Sequence, residues 1–381
     1  MKTINELIKE LKITNVTHTK LGEVCEFQRG KAIDKKDMES GNIPVISSAS
    51  KPMGFTNKSN HSSPCVTILT TGDGSAGKNI LFHGKPIWVF TTALSIEPNN
   101  TNVLNCKYLY YFLINSKNLI MSTCINKGAK KMLSLQDLYN LDIYFPSLPY
   151  QQQIVKILDE FTELEAELEA ELEARKKQYD YWLHVLLDPK TGGMLNNKNI
   201  TYVKLIDVCE FERGSYISND DMIGGEIPVI SGGELPVGFT NKYNRDYPCI
   251  TISSAGYAGK NILYHTEKFW AYACLTLTVK KFPLNLKYLY YWLLTMRPTL
   301  LYLAHAFKKS FANIYAKDLY NLEIPLPLLD YQNKIVSILN QFNNLTTNLQ
   351  DGIPAEIKLR KEQYHYYLKQ LLSFNNEIKQ E

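Results

Sequence analysis

Lys20-Leu-Gly-Glu-Val-Cys-Glu-Phe-Gln-Arg-Gly30 returns as Lys204-Leu-Ile-Asp-Val-Cys-Glu-Phe-Glu-Arg-Gly214, and three more stretches return behind it in the same order. Ile43-Pro-Val-Ile-Ser47 matches Ile227-Pro-Val-Ile-Ser231, and Gly54-Phe-Thr-Asn-Lys58 matches Gly238-Phe-Thr-Asn-Lys242. Lys107-Tyr-Leu-Tyr-Tyr-Phe-Leu113 matches Lys287-Tyr-Leu-Tyr-Tyr-Trp-Leu293. The offset is 184 residues at first, 180 at Lys107 and 181 where Gln151 meets Gln332. Solenoid units run to about 20–50 residues, so this period marks a duplicated domain. A duplicated domain is an internal dimer that offers two related surfaces.

Each copy reads as a mixed domain followed by a long helix. In the first, Ile43–Ser47, Cys65–Thr70, Asn79–Phe82, Trp88–Ile96 and Leu141–Phe145 are rich in Val, Ile, Thr and aromatics and predict strands. Helical periodicity runs through Ile4, Leu7, Ile8 and Leu11 and again through Lys107–Met121. From Gln151 to Leu187 there is neither Gly nor Pro, and a heptad-like stripe passes through Ile154, Phe161, Leu168, Arg175, Trp182 and Leu186. The second copy carries a matching stripe from Ile335 to Leu371, interrupted at Gly352 and Pro354. The reading is an α+β fold: globular domains at 1–149 and 189–330, helices at 150–188 and 331–381. Pairing the two stripes gives an antiparallel coiled coil under a pseudo-two-fold axis, with the globular domains at opposite ends. The first helix, 38 residues from Tyr150 to Leu187, would be about 57 Å long.

The net charge of +4 is segregated. Residues 1–149 hold 17 Lys and Arg against 11 Asp and Glu, and residues 189–330 hold 15 against 12. Residues 150–188 hold 4 against 10. Mildly basic globular copies are compatible with nucleic acid, and the acidic helix would repel phosphate. No apolar run approaches the ~20 residues of a membrane span. The charged N-terminus is unlike a signal peptide, and the seven cysteines form no CxxC pair. The expected setting is the cytoplasm, with no metal and no membrane.

Gly72-Asp-Gly-Ser-Ala-Gly-Lys78-Asn79 nearly satisfies the phosphate-loop pattern. Asn79 replaces the Mg²⁺-binding hydroxyl, the next residues read as a strand, and the second copy, Ser254-Ala-Gly-Tyr-Ala-Gly-Lys260-Asn261, loses the first glycine. A divergent nucleotide-binding protein and a coiled-coil scaffold with two protein-interaction domains stand as alternatives. The first would bind ATP, the second would leave no DNA footprint. No catalytic constellation is visible, and no cofactor is expected.

Lys130-Lys-Met-Leu-Ser-Leu-Gln-Asp-Leu-Tyr-Asn-Leu-Asp-Ile-Tyr-Phe-Pro146 runs into Pro149-Tyr-Gln-Gln-Gln-Ile154, and a similar string runs from Lys308 to Gln332. Both resemble the end of a target-recognition domain entering the spacer helix in specificity subunits of type I restriction–modification enzymes. Gly352-Ile-Pro-Ala-Glu-Ile357 and the shared Arg-Lys-x-Gln-Tyr at Arg175 and Arg360 are similar to that family's helical repeat. The first helix lacks the Gly-x-Pro-Ala-Glu element, which sets its equivalence with the second apart from the family pattern. The resemblance implies that each globular domain reads half of a bipartite site in double-stranded DNA. It implies that the helices fix the gap and dock two methyltransferase subunits, that restriction subunits join, and that the chain itself is not catalytic.

Comparing the copies gives candidate DNA contacts. Phosphate contacts are indifferent to sequence and should recur, whereas base contacts should differ between half-sites. Shared basic positions are Arg29/Arg213, Lys58/Lys242, Lys78/Lys260, Lys130/Lys308 and Lys131/Lys309. Differing stretches supply base-reading candidates: Ser48, Ser50 and Lys51 against Glu234; Thr71 and Asp73 against Ser253 and Ser254; Asn126 and Lys127 against His305. Solvated surface charges and drifting loops are the plain alternatives. The Tyr108/Tyr288 clusters, at helical spacing, read as core.

Overall fold

The computed structural model describes residues 3–374 except 39–40, 48–50, 63, 72–75, 127–130, 191–199, 223, 281, 306–311 and 349. The chain divides into two compact units: Met1–Leu168 with Ile357–Glu381, and Glu169–Glu356.

In the first unit an antiparallel four-stranded sheet runs in the order Cys25–Arg29, Ala93–Pro98, Cys65–Leu69, Ile80–His83. Cys65–Leu69 is buried along its whole length, as a strand covered on both faces must be. A three-stranded sheet holds Gly54–Thr56, Ile43–Ile46 and Trp88–Val89, the last pair parallel. Thr17–Lys20 pairs with Asp142–Phe145. Helix Cys106–Asn115 lies against the four-stranded sheet, capped by Asn105, whose side chain accepts from the N–H groups of Lys107 and Tyr108. Tyr108 is fully buried and donates to the Tyr144 carbonyl at 2.8 Å, so it is core, as its helical spacing predicts. The N-terminal helix Ile4–Leu11 forms with a capping box at Thr3 and Glu6 and buries Leu7, Ile8 and Leu11.

The second unit repeats this topology strand for strand: Cys209–Arg213, Cys274–Val279, Cys249–Ser253, Ile262–His265 in one sheet, and Gly238–Thr240, Ile227–Ile230, Trp270–Ala271 in the other. Helix Leu286–Thr295 takes the place of Cys106–Asn115, and Tyr288 donates to the Pro325 carbonyl at 2.8 Å.

The 40-residue helix Leu148–Leu187 is anchored to the first globular copy by Gln151. This side chain is fully buried; its Nε2 donates to the carbonyls of Val103 and Pro146 at 2.9 and 2.8 Å. In the second unit Gln332, on helix Leu329–Thr347, donates in the same way to Pro283 and Pro327 at 3.0 and 2.9 Å. Within the first unit Phe161 stacks on Tyr367 and Glu165 pairs with Lys361 at 3.2 Å, so Leu148–Leu187 and Ile353–Leu372 run antiparallel there. The interruption expected at Gly352 is present: one helix ends at Thr347 and the next begins at Ile353, which puts Pro354 in a first turn, where its missing N–H costs nothing.

Three expectations are refined. Trp88–Ile96 is two strands, because the chain turns at Phe90–Thr92 to leave one sheet for the other. Lys107–Met121 is two helices, parted at Ser116, whose ψ of 4° leaves the helical range. The apolar stripe of the long helix passes through Leu183, 5% exposed, and not Trp182, which is 39% exposed. A straight helix drifts away from a strict seven-residue repeat.

Candidate nucleic-acid interface

In each copy the shared arginine, the Ala-Gly-Lys-Asn turn and the segment leaving the third strand lie at one end of the four-stranded sheet, whereas Lys58 and Lys242 follow a strand of the other sheet. Strand Cys25–Arg29 ends with Arg29 opposite Leu94, and Cys209–Arg213 ends with Arg213 opposite Leu275. The glycine after each arginine permits a tight crossing: a Cβ at Gly30 would lie 2.0 Å from the Phe90 carbonyl oxygen, and one at Gly214 2.1 Å from that of Tyr272. Two strands across, the chain leaves the sheet at Thr70–Thr71 and at Ser254–Ala255. A second segment is stitched to it there. Leu133 N–H donates to Thr70 at 2.9 Å and Thr71 bridges Met132; Ile314 N–H donates to Ser254 at 3.1 Å and Ala255 bridges Asn313. The Ala-Gly-Lys-Asn turn closes beside the same strand end, with Gly77 and Gly259 at φ +73° and +72°, a conformation that favours glycine. It presents Lys78 and Lys260, both exposed. Strands Ile80–His83 and Ile262–His265 follow where a phosphate loop needs a helix.

The shared cations differ in availability. Arg29 and Arg213 are exposed, and neither guanidinium has an ion-pair or hydrogen-bond partner among the described residues. Lys58 is paired with Asp37 at 3.1 Å and Lys242 with Asp221 at 2.8 Å. The Lys242 hydrogen bond holds the Asp221 carboxyl below its usual range. Lys260 also sits over the Tyr257 ring, 5.3 Å from its centroid. Lys51, Asn126, Lys131 and Glu234 are exposed, and Thr71 and Ser254 are half-buried. Ser253 is only 2% exposed, and its hydroxyl donates to the Tyr257 carbonyl, so it supports the turn instead of facing a ligand. Ser48, Ser50, Asp73, Lys127, Lys130, Lys308, Lys309 and the side chain of His305 lie outside the described residues.

The fold also corrects which residues correspond. The bridges match Met132 with Asn313, an offset of 181, so Lys131 corresponds to Ala312 and not to Lys309. Buried Cys124 and Ala304, each 1% exposed, lie seven residues past the starts of equivalent helices at Lys117 and Arg297, so His305 corresponds to Ile125. Thr71 corresponds to Ala255, and the two-residue contraction falls between Thr71 and Gly77. Asp137-Leu-Tyr-Asn-Leu141, returning as Asp318-Leu-Tyr-Asn-Leu322, carries this register in the sequence.

Aligned this way, the second unit shows residues that comparison of the strings overlooks. A cleft of about 360 Å³ is lined by Arg213, Ser254, Ala255, Asn313, Tyr315 and Lys317, among others. Arg245, 6% exposed, pairs with Glu212 at 3.0 Å and donates to the Arg213 carbonyl at 3.2 Å, fixing that strand end. His61 takes the place of Arg245 in the first unit. All seven cysteines are buried and free; burial pushes the Cys249 thiol up to about 11, which makes it a poor nucleophile. Among the described residues no cluster of His, Cys, Asp or Glu is arranged to hold a metal, and no helix is long and apolar enough to cross a membrane.

One α+β module is thus used twice, each time with an arginine that has no ion-pair or hydrogen-bond partner among the described residues and with residues at the same sheet end that differ between the copies. The type I restriction modification DNA specificity domain matches this chain at residues 14–174 and again at 197–359, and the chain belongs to that family. It is similar to the EcoR124I/EcoR124II specificity subunit of Escherichia coli, 28% identical over a 410-residue alignment that covers 98% of each chain. In fold it resembles the S subunit of a type I system from M. genitalium, with TM-score 0.69, 19% identity and coverage of 94% and 96%. A second likeness, TM-score 0.56 at 18% identity, is to a chain from a structure of type I complex assembly and conformational transition; it covers 93% of this chain and 97% of that one.

Proposed function

We propose that each globular copy reads one half of a bipartite site in double-stranded DNA. The long helical segments set the gap between the halves and dock two methyltransferase subunits, to which restriction subunits are added. The chain contributes recognition and leaves the chemistry to its partners. The boundaries follow 1–149 and 189–330 for the readers and 150–188 and 331–381 for the helices.

The observation that carries this reading is the paired construction of the two sheet ends. The copies agree on Arg29/Arg213 and Lys78/Lys260, which suits phosphate, and differ at Thr70/Ser254, Thr71/Ala255 and Met132/Asn313, which suits two different half-sites. Lys58 and Lys242 are neutralised by their aspartates and would add less to phosphate binding.

The test is to co-express the chain with methyltransferase subunits and map the methylated bases. The expected product is a two-part motif with a gap of fixed length. An uninterrupted motif, or methylation without any motif, overturns the reading.

A further inference from the structure

Asn313 is half-buried, lines the cleft of about 360 Å³, and its carboxamide has no hydrogen-bond partner among the described residues. Both polar ends of the amide are therefore open to a partner beyond the described residues. Its backbone is held firmly: Asn313 bridges Ala255, and its N–H donates to Ala304 at 3.3 Å. Arg213 and Lys317 line the same cleft, so the amide shares it with two cations able to hold a phosphate backbone.

The corresponding residue of the first unit is Met132, held by the same bridge to Thr71 and 40% exposed although its neighbour Leu133 is 6% exposed. An exposed thioether on a fixed backbone makes apolar contacts and no hydrogen bonds. One framework position therefore carries opposite chemistries in the two copies.

We propose that position 132/313 is a specificity-determining position. Asn313 reads an adenine in the half-site of the second unit, its amide oxygen accepting from N6 and its NH₂ donating to N7, and Met132 packs against a thymine methyl in the half-site of the first. The chemistry follows from the groups: a carboxamide matches the major-groove edge of adenine, and an apolar side chain matches the thymine methyl. This inference rests on the bipartite reading above.

The test uses the full chain, co-expressed with its methyltransferase subunits, and maps methylated motifs for wild type, Asn313→Ala, Asn313→Asp and Met132→Ala. Asn313→Ala should relax one position of one half-site by roughly tenfold or more, the discrimination of a good bidentate pair. The other half-site and the gap should stay unchanged. Asn313→Asp, close to isosteric, keeps an acceptor and loses the donor, so preference at that position should move from adenine toward cytosine. Met132→Ala should relax one position of the other half-site only. If the wild-type complex methylates a two-part motif and all three variants keep every position of it, the proposal is overturned while the bipartite reading stands. Uniform loss of methylation with an unchanged motif also overturns it, since losing a base reader must show at one position of one half-site. If the wild-type complex yields no two-part motif, the bipartite reading itself has failed.

Discussion

Gln151 and Asn105 join the long helix to the first globular copy through one short contact: the Gln151 side-chain oxygen accepts from the Asn105 N–H at 2.8 Å. Asn105 is also the cap of helix Cys106–Asn115. Gln332 and Asn285 repeat the contact at 2.8 Å in the second unit. A glutamine is needed because the site wants one acceptor and two donors from a single buried side chain.

Gln151→Glu should therefore destabilise the protein although its shape is nearly kept. An ionised carboxylate would face the Val103 and Pro146 carbonyls with nothing to donate. The expected loss is about 3 kcal/mol, the scale of leaving buried polar groups unsatisfied. Urea unfolding checks it, and an unchanged midpoint would show that the joint contributes little.

Arg29→Ala and Arg213→Ala should each weaken DNA binding by the assembled complex and reduce the salt dependence of affinity by about one counterion. Lys58→Ala and Lys242→Ala should change the slope less, because each lysine already has an aspartate. The measurement is affinity against salt concentration. Equal slopes for all four variants would contradict this ranking of the cations.

Acid should loosen both sheets through His83 and His265. Burial lowers both imidazoles to about 4, and each has a threonine partner, Thr67 at 2.8 Å and Thr251 at 2.9 Å. The folded state thus keeps them neutral, whereas the unfolded chain protonates them near 6.5. Their contribution is complete above about 6.5 and is lost as pH falls toward 4, where the unfolded state binds more protons. Allowing for partial exposure, each is worth on the order of 2 kcal/mol across that window. Melting temperature followed from pH 7 to 4 should fall less steeply for His83→Gln and His265→Gln than for wild type.

Removing a matched heptad from both long helical segments should shorten the recognised gap by about three base pairs, from 1.5 Å per residue and 3.4 Å per base pair. Motif mapping checks this. A gap of unaltered length would exclude the helices as the spacing element.

The repeat made much of this fold legible. Pro-Val-Ile and Cys-Val-Thr-Ile-Leu are strands where β-branched residues predict them, and the helical stripe is interrupted at Gly352 and Pro354, as glycine and proline two residues apart predict. The readers were harder to find. Asn313 and Met132 share no residue type, and their correspondence rests on the backbone bridges to Ala255 and Thr71 and on the Asp-Leu-Tyr-Asn-Leu string that returns behind them. Matching like with like paired Lys131 with Lys309, because a string of identical letters weighs more in a sequence than hydrogen bonds it does not contain. Ser253 is polar enough to face a base, yet its hydroxyl closes a turn. Arg245 stands alone in the sequence, and only folding sets it under the Arg213 carbonyl.

The glutamine joints also bear on how such a chain can change. Each places the same three hydrogen bonds between the same kinds of backbone group, and nothing in the joint depends on the residues at the far sheet end. A globular copy from a sibling protein, cut just ahead of its glutamine, would meet a socket it already fits. New recognition could then be acquired by exchanging whole cassettes, without the slow repair of a disturbed core.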